Sequence, residues 1–129
     1  MTVRSLLIDS DVLIDLLRKI TTARAFFDAE IKVGSGLFCS VISRTEILAG
    51  VRLGEEDAIR GLFSIVTPVD VDIAIADRAG EFLCKYAKSH SVGIGDALIA
   101  GTAHEMKLLL VTRNVKHYPM KGIQVVKPY

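Results

Sequence analysis

The sequence predicts an α/β fold, three layers deep (α/β/α), around a mainly parallel sheet of about five strands. Three observations carry this prediction. Short unbroken apolar runs recur at 5–8, 37–42, 65–69, 108–112 and 123–126, and such runs suit strands buried on both faces. Between them apolar residues fall at helical spacing, the pattern of helices that cover a sheet. No Pro- or Gly-rich linker, internal repeat or low-complexity tract intervenes, so residues 1–129 read as a single domain.

Each element has its own signal. Ser5-Leu6-Leu7-Ile8, closed by Asp9, is the first strand. The period then changes, and Val12, Leu13, Leu16, Leu17 and Ile20 mark a helix that Ser10 or Asp11 would cap. Ala23, Phe26, Phe27 and Ile31 mark a second helix after the Thr21-Thr22 cap signal. Gly34-Ser35-Gly36 is a turn leading into the strand at 37–42. Ser43 reads as the next N-cap, with Glu46 in capping-box position and Ile47, Leu48 and Val51 as the buried stripe. Glu55-Glu56-Asp57 opens a helix where acids suit the positive end of the dipole. Ala58, Ile59, Leu62 and Phe63 line its inner face. After the strand at 65–69, Ile73, Ala76, Gly80, Leu83 and Ala87 keep helical spacing from Asp72 onward. A loop at 89–95 precedes the last helix, defined by Leu98, Ile99, Thr102, Ala103 and Met106.

Composition narrows the function classes. Half the residues are hydrophobic and 24% charged, a globular balance, and the net charge is +1, which is no polybasic nucleic-acid binder. Aromatics make up 6% and Trp is absent, so no base-stacking platform is advertised. Cys39 and Cys84 sit in apolar stretches without metal or disulfide spacing, and read as buried small hydrophobes in a reducing cytosol. The longest stretch free of Asp, Glu, Lys and Arg, 33–43, is far short of a membrane span, and Asp9 and Asp11 cut off any signal peptide. The expected location is the cytoplasm.

In parallel sheets ligands bind beyond the carboxyl ends of the strands. Asp9-Ser10-Asp11 follows the first strand at once. Glu46 lies in the first turn after the second strand, Asp96 begins the last helix, and Thr112-Arg113-Asn114 ends the fourth strand. Three acids and an amide thus meet at one sheet edge. Carboxylates with no Cys, and no His at ligand spacing, suit hard cations such as Mg²⁺ or Mn²⁺. Clustered acids need such a cation to stay ionised together.

The segments 6–14, Ser43-Arg44-Thr45-Glu46-Ile47, 95–100 and 111–118 resemble, in order and spacing, PIN-domain nucleases, and most of all the VapC-type toxins of prokaryotic toxin–antitoxin pairs. The resemblance covers the whole chain. It implies a Mg²⁺- or Mn²⁺-dependent endoribonuclease, a homodimer, and a cognate antitoxin whose C-terminal segment occludes the site. By that match Asp9, Glu46 and Asp96 are the catalytic, metal-binding acids, and Ser10 and Thr112 the hydroxyl residues that support them. The family's fourth acid falls at Asn114, which keeps a carbonyl ligand but loses a charge. Asp11 stands where the family often has Asn and restores part of that charge. Arg113 and Lys116 flank the site as RNA phosphate contacts.

Two alternatives follow from the same residues. Asp9-Ser10-Asp11-Val12-Leu13 after a strand also resembles the first motif of haloacid-dehalogenase phosphatases, with Asp9 as nucleophile. Against it, no acid follows Glu105, where that family places a late acidic pair. The other is a catalytically weak PIN scaffold that only binds RNA or protein, with Asn114 as a first sign of decay.

Overall fold

The computed structural model describes residues 2–129. The chain runs β1 (Ser5–Ile8), α1 (Ser10–Leu17), α2 (Thr21–Val33), β2 (Gly36–Ser40), α3 (Val41–Ala49), α4 (Glu56–Ile65), β3 (Thr67–Val69), α5 (Ile73–His90), α6 (Ile94–Met106), β4 (Leu109–Val111), a 3₁₀ turn (Val115–His117) and β5 (Val125–Val126). The five strands form one sheet in the order β3-β2-β1-β4-β5, every neighbouring pair parallel. The predicted α/β class and strand count hold.

Side chains alternate across the central strand, because successive residues of a strand point to opposite faces. Leu6 and Ile8 join Val12, Leu13, Phe27, Ile47 and Leu62 in one core, while Leu7 joins Phe82, Tyr86, Ile99 and Leu110 in the other. Leu6, Leu7 and Ile8 are wholly buried. On the second face α5 and α6 pack so closely that a Cβ on Gly101 would stand 2.9 Å from the Ile75 carbonyl oxygen. Among the described residues no helix is long and apolar enough to cross a membrane.

Several local expectations are corrected. Asp9, not Ser10 or Asp11, caps α1, and the helix starts two residues before Val12. Ile20 precedes α2 with no side-chain cap, so the Thr21-Thr22 signal is not used. The cap of α3 is Ser40, whose hydroxyl accepts from the Ile42 N–H at 3.1 Å, and Ser43 lies buried inside the helix. The capping box with Glu46 therefore does not form. Ile47 is buried as expected, but Leu48 and Val51 are exposed. In α5 the buried stripe is Ile75, Ala79, Phe82 and Tyr86 rather than Ile73, Ala76, Gly80, Leu83 and Ala87. Both series have helical spacing, and the one carrying the aromatic rings removes more apolar area from water. That rotation also leaves Cys84 exposed, while Cys39 is buried as expected. The loop expected at 89–95 shrinks to three residues, with Ser91 in the left-handed region (φ 53°) closing the turn between α5 and α6.

Candidate active site

The strand order places the site. From β1 the chain crosses to β2 on one side, and β4 packs on the other, so the crevice beyond the carboxyl ends of β1 and β4 is a topological switch point. Ile8 pairs with Val111, and the Asp9 N–H donates to the Val111 carbonyl at 2.9 Å. Asp9 and Thr112 are therefore side by side by sheet register alone.

Asp9 is 7% exposed and accepts three hydrogen bonds. Its Oδ1 accepts from the Ser10 N–H at 2.8 Å, and its Oδ2 from Thr112 Oγ1 at 2.8 Å and from the Tyr118 hydroxyl at 3.0 Å. Burial nevertheless raises its pKa, and the nearby Asp11 adds to this, so that the carboxyl is pushed up to about 6 against the bonds that favour its ionised form. Burial likewise pushes the Tyr118 hydroxyl above its ordinary range, as do the charges of Asp9 and Asp96. It stays a neutral donor.

The other predicted residues reach Asp9 through short bridges. Ser10 donates from Oγ to Glu46 Oε1 at 2.9 Å, and its Oγ is also 2.9 Å from the Oγ of buried Ser43. This pair of serines links β1's exit to α3 and fixes the direction of an otherwise exposed Glu46. Asp96, in the first turn of α6, has its Oδ1 3.4 Å from the Tyr118 hydroxyl and its Oδ2 3.8 Å from His117 Nδ1. One hydroxyl thus stands within reach of both Asp9 and Asp96. Asp11 accepts the Arg113 N–H at 3.0 Å and lies 3.5 Å from Thr112 Oγ1. Asn114 donates its backbone N–H to Thr112 Oγ1 at 3.0 Å, but among the described residues its amide side chain makes no hydrogen bond. Arg113 forms a two-point contact with Asp15, through Nε and through Nη2 at 3.3 Å. Lys116 is exposed and, among the described residues, in no ion pair.

Sequence reasoning missed Tyr118, Ser43 and Asp15. Ser43 was absorbed by its capping pattern. Tyr118 lies in the loop leaving β4, where a hydroxylated aromatic just past Asn114 was the available signal. Asp15 shares α1's outer face with Asp11 at the i, i+4 spacing that brings helix side chains together.

Among the described residues no three His, Cys, Asp or Glu side chains stand close enough as placed to share an ion, since Glu46 is held by Ser10 and Asp96 turns toward Tyr118 and His117. The chemistry of the donor set still fits a hard divalent cation. Asp9, Asp11, Glu46 and Asp96 offer carboxylate oxygens only, and Asp9 carries a buried charge that no cation among the described residues offsets.

Comparison with known proteins identifies the family. Residues 6–121 match the model of the PIN domain. Ribonuclease VapC10 of Mycobacterium tuberculosis is 40% identical over 116 residues, spanning 89% of this chain and 86% of the relative. A toxin–antitoxin complex from Klebsiella pneumoniae contains a chain that superposes with a TM-score of 0.78 at 27% identity, covering 97% of this chain and 98% of that one. A DNA-bound VapBC structure from Salmonella typhimurium shares the fold, with a TM-score of 0.83 at 23% identity over 98% and 99% of the two chains.

Proposed function

The chain belongs to the PIN-domain family and is a ribonuclease of the VapC type, the toxin of a toxin–antitoxin pair; from that premise we propose that it hydrolyses RNA phosphodiester bonds at the edge formed by Asp9, Glu46 and Asp96, with Mg²⁺ or Mn²⁺ as cofactor. The observation that carries this is the buried Asp9 carboxylate, joined through Tyr118 to Asp96 and left without a counter-charge.

Asp9, Asp96 and Glu46 would hold the ion, which when bound supplies charge neutralisation and an acidified water. The chain's own residues do the positioning. Thr112 and Tyr118 donate to one Asp9 oxygen and so orient the carboxyl. Ser10 holds Glu46 at the rim, where its other oxygen would orient the attacking water. Asp11 ties the Thr112–Arg113 stretch to α1. Asn114 contributes a neutral carbonyl oxygen where a fourth acid would add charge. The PIN assignment displaces the phosphatase alternative.

The partner of such a toxin is an antitoxin, and its place is the apolar groove between α1, α2 and α4. Leu16, Leu17, Phe27, Ile31, Leu62 and Ile65 line it, around about 380 Å³. Ile31 and Ile65 are exposed there, as an uncovered apolar face requires. An arginine of the inhibitor laid against the site carboxylates would compete with the metal. A homodimer would cover the apolar side chains that stand out elsewhere, Leu53, Ile73 and Ile94. The cytoplasm is the expected compartment.

The deciding experiment is cleavage of single-stranded RNA by the purified chain with Mg²⁺, Mn²⁺ or EDTA. Metal-dependent cleavage that Asp96→Asn abolishes while the melting profile is kept supports the assignment. Equal cleavage in EDTA, or a fully active Asp96→Asn, would overturn it. RNA bound but intact under every condition would point to the binding-only alternative.

A further inference from the structure

Beside the carboxylates lies a separate pocket of about 370 Å³, lined by Arg113, Asn114, Val115, Lys116, His117 and Lys127. It shares a wall with the candidate active site, because Thr112 and Arg113 are bonded to Asp9 and Asp11 while Arg113 and Asn114 face the pocket. Its charge is of the opposite sign. Arg113 is committed to Asp15, and His117 stands 3.8 Å from Asp96. Among the described residues Lys116 and Lys127 make no ion pair, and the Asn114 amide makes no hydrogen bond. Two lysines without an ion-pair partner and a free amide donor therefore line one pocket, beside which the acids Asp11, Asp15 and Asp96 are turned to other partners.

Lys127 is not on a loose tail. On one side the Thr112 N–H donates to the Val126 carbonyl at 3.1 Å, tying β5 to the end of β4. On the other, the Tyr129 hydroxyl donates to Asp15 Oδ2 at 2.6 Å, on the carboxylate that also holds the Arg113 guanidinium. Pro128 between them restricts the backbone further. Asp15 is thus a clasp that fastens both walls of the pocket to α1.

We propose that this pocket is a second phosphate subsite for RNA, in which Lys116 and Lys127 bind the phosphodiester next to the one placed against Asp9 and Asp96. The inference rests on the ribonuclease reading given above. A strand lying across this edge presents its scissile phosphate to the carboxylates and needs a cationic seat for its neighbour, since the acids repel every phosphate not neutralised there. Lys127 follows β5, outside every motif that marks the site in the sequence.

Binding can be read without cleavage. Anisotropy of a short fluorescein-labelled single-stranded RNA, titrated with the full chain in EDTA over a range of KCl, gives the affinity and its salt slope. Lys127→Ala and Lys116→Ala are each expected to weaken binding several-fold and to lower the slope by about 0.7, one phosphate contact on a single strand. Lys127→Arg should keep most of both. Lys107→Ala removes an exposed lysine at the amino ends of the strands, opposite the site, so it controls for net charge alone. In Mn²⁺ the two pocket variants should raise KM and leave kcat near wild type. An unchanged slope for Lys127→Ala, or an equal loss from Lys107→Ala, would overturn the subsite. Wild-type RNA cleavage that survives such a result leaves the ribonuclease reading standing, whereas absent cleavage with the lysine effects intact overturns that reading alone.

Discussion

Asp9→Asn should stabilise the metal-free protein while destroying its activity. With the folded carboxyl pushed from 3.8 to about 6 by burial and by Asp11, keeping it ionised at pH 7.5 costs about 3 kcal/mol, at about 1.4 kcal/mol per pH unit. Asparagine removes that charge at nearly constant shape and keeps an oxygen for the Ser10 N–H. Its NH₂ group, however, faces two hydroxyls that previously donated to Oδ2. Tyr118 can turn its proton to Asp96, but Thr112 already accepts from the Asn114 N–H, so about 1 kcal/mol of hydrogen bonding is lost. The net gain is about 1–2 kcal/mol, or several degrees in Tm for a domain of this size. The sign with pH follows from the raised pKa. Between about pH 4 and 6 the folded state binds the proton that the unfolded state has lost, so wild-type stability falls as pH rises through that window. The advantage of the variant should therefore be full at pH 7.5 and gone near pH 4, where both side chains are neutral. Mn²⁺ should reverse the order, because only the wild type gains stability from bound ion. Differential scanning calorimetry in EDTA at several pH values, then in Mn²⁺, reads all of this. A variant that melts below wild type in EDTA at pH 7.5, or an advantage that does not shrink toward pH 4, would refute the argument.

Tyr118→Phe keeps the buried ring but removes the donor shared by Asp9 and Asp96. Cleavage at limiting Mn²⁺ should fall about tenfold and recover at saturating metal, with a change in stability of about 1 kcal/mol; equal metal requirements for both proteins would show that the hydroxyl positions nothing. Asn114→Asp adds a carboxylate to the acidic edge, so calorimetric titration should show tighter Mn²⁺ binding and the metal-free form should melt lower. An unchanged titration would mean that position 114 stays outside the ion's reach. Gly101→Ala drives a methyl to 2.9 Å from the Ile75 carbonyl oxygen, and chemical denaturation should register a loss of about 1–3 kcal/mol from forcing α5 and α6 apart.

Much of this molecule is legible in one dimension. Unbroken apolar runs alternating with helical spacing specify strands buried on both faces and helices that cover them, because burial periodicity is a local property of backbone geometry. Asp9 directly after the first of those runs, Glu46 in the first helix after the second and Asp96 in the first turn of the last helix mark the sheet edge by their place along the chain. Where two local patterns compete, the sequence does not choose. Ser40 and Ser43 both suit an N-cap, and the choice falls to Ser40 because Ser40 ends β2, in register with Val69 of β3, which leaves Ser43 inside the helix and free to meet Ser10. Two stripes on α5 have helical spacing, and packing of Phe82 and Tyr86 against the sheet selects one of them, turning Cys84 to solvent. Tyr118 reaching back to Asp9, and Asp15 clasping Arg113 and Tyr129, leave no trace in local spacing. Those bonds join residues about a hundred positions apart, and only the parallel order β3-β2-β1-β4-β5 sets the ends of β1, β4 and β5 next to one another. Periodicity encodes which face of an element is buried; which elements become neighbours is decided by how the faces pack together, and that is where the site is assembled.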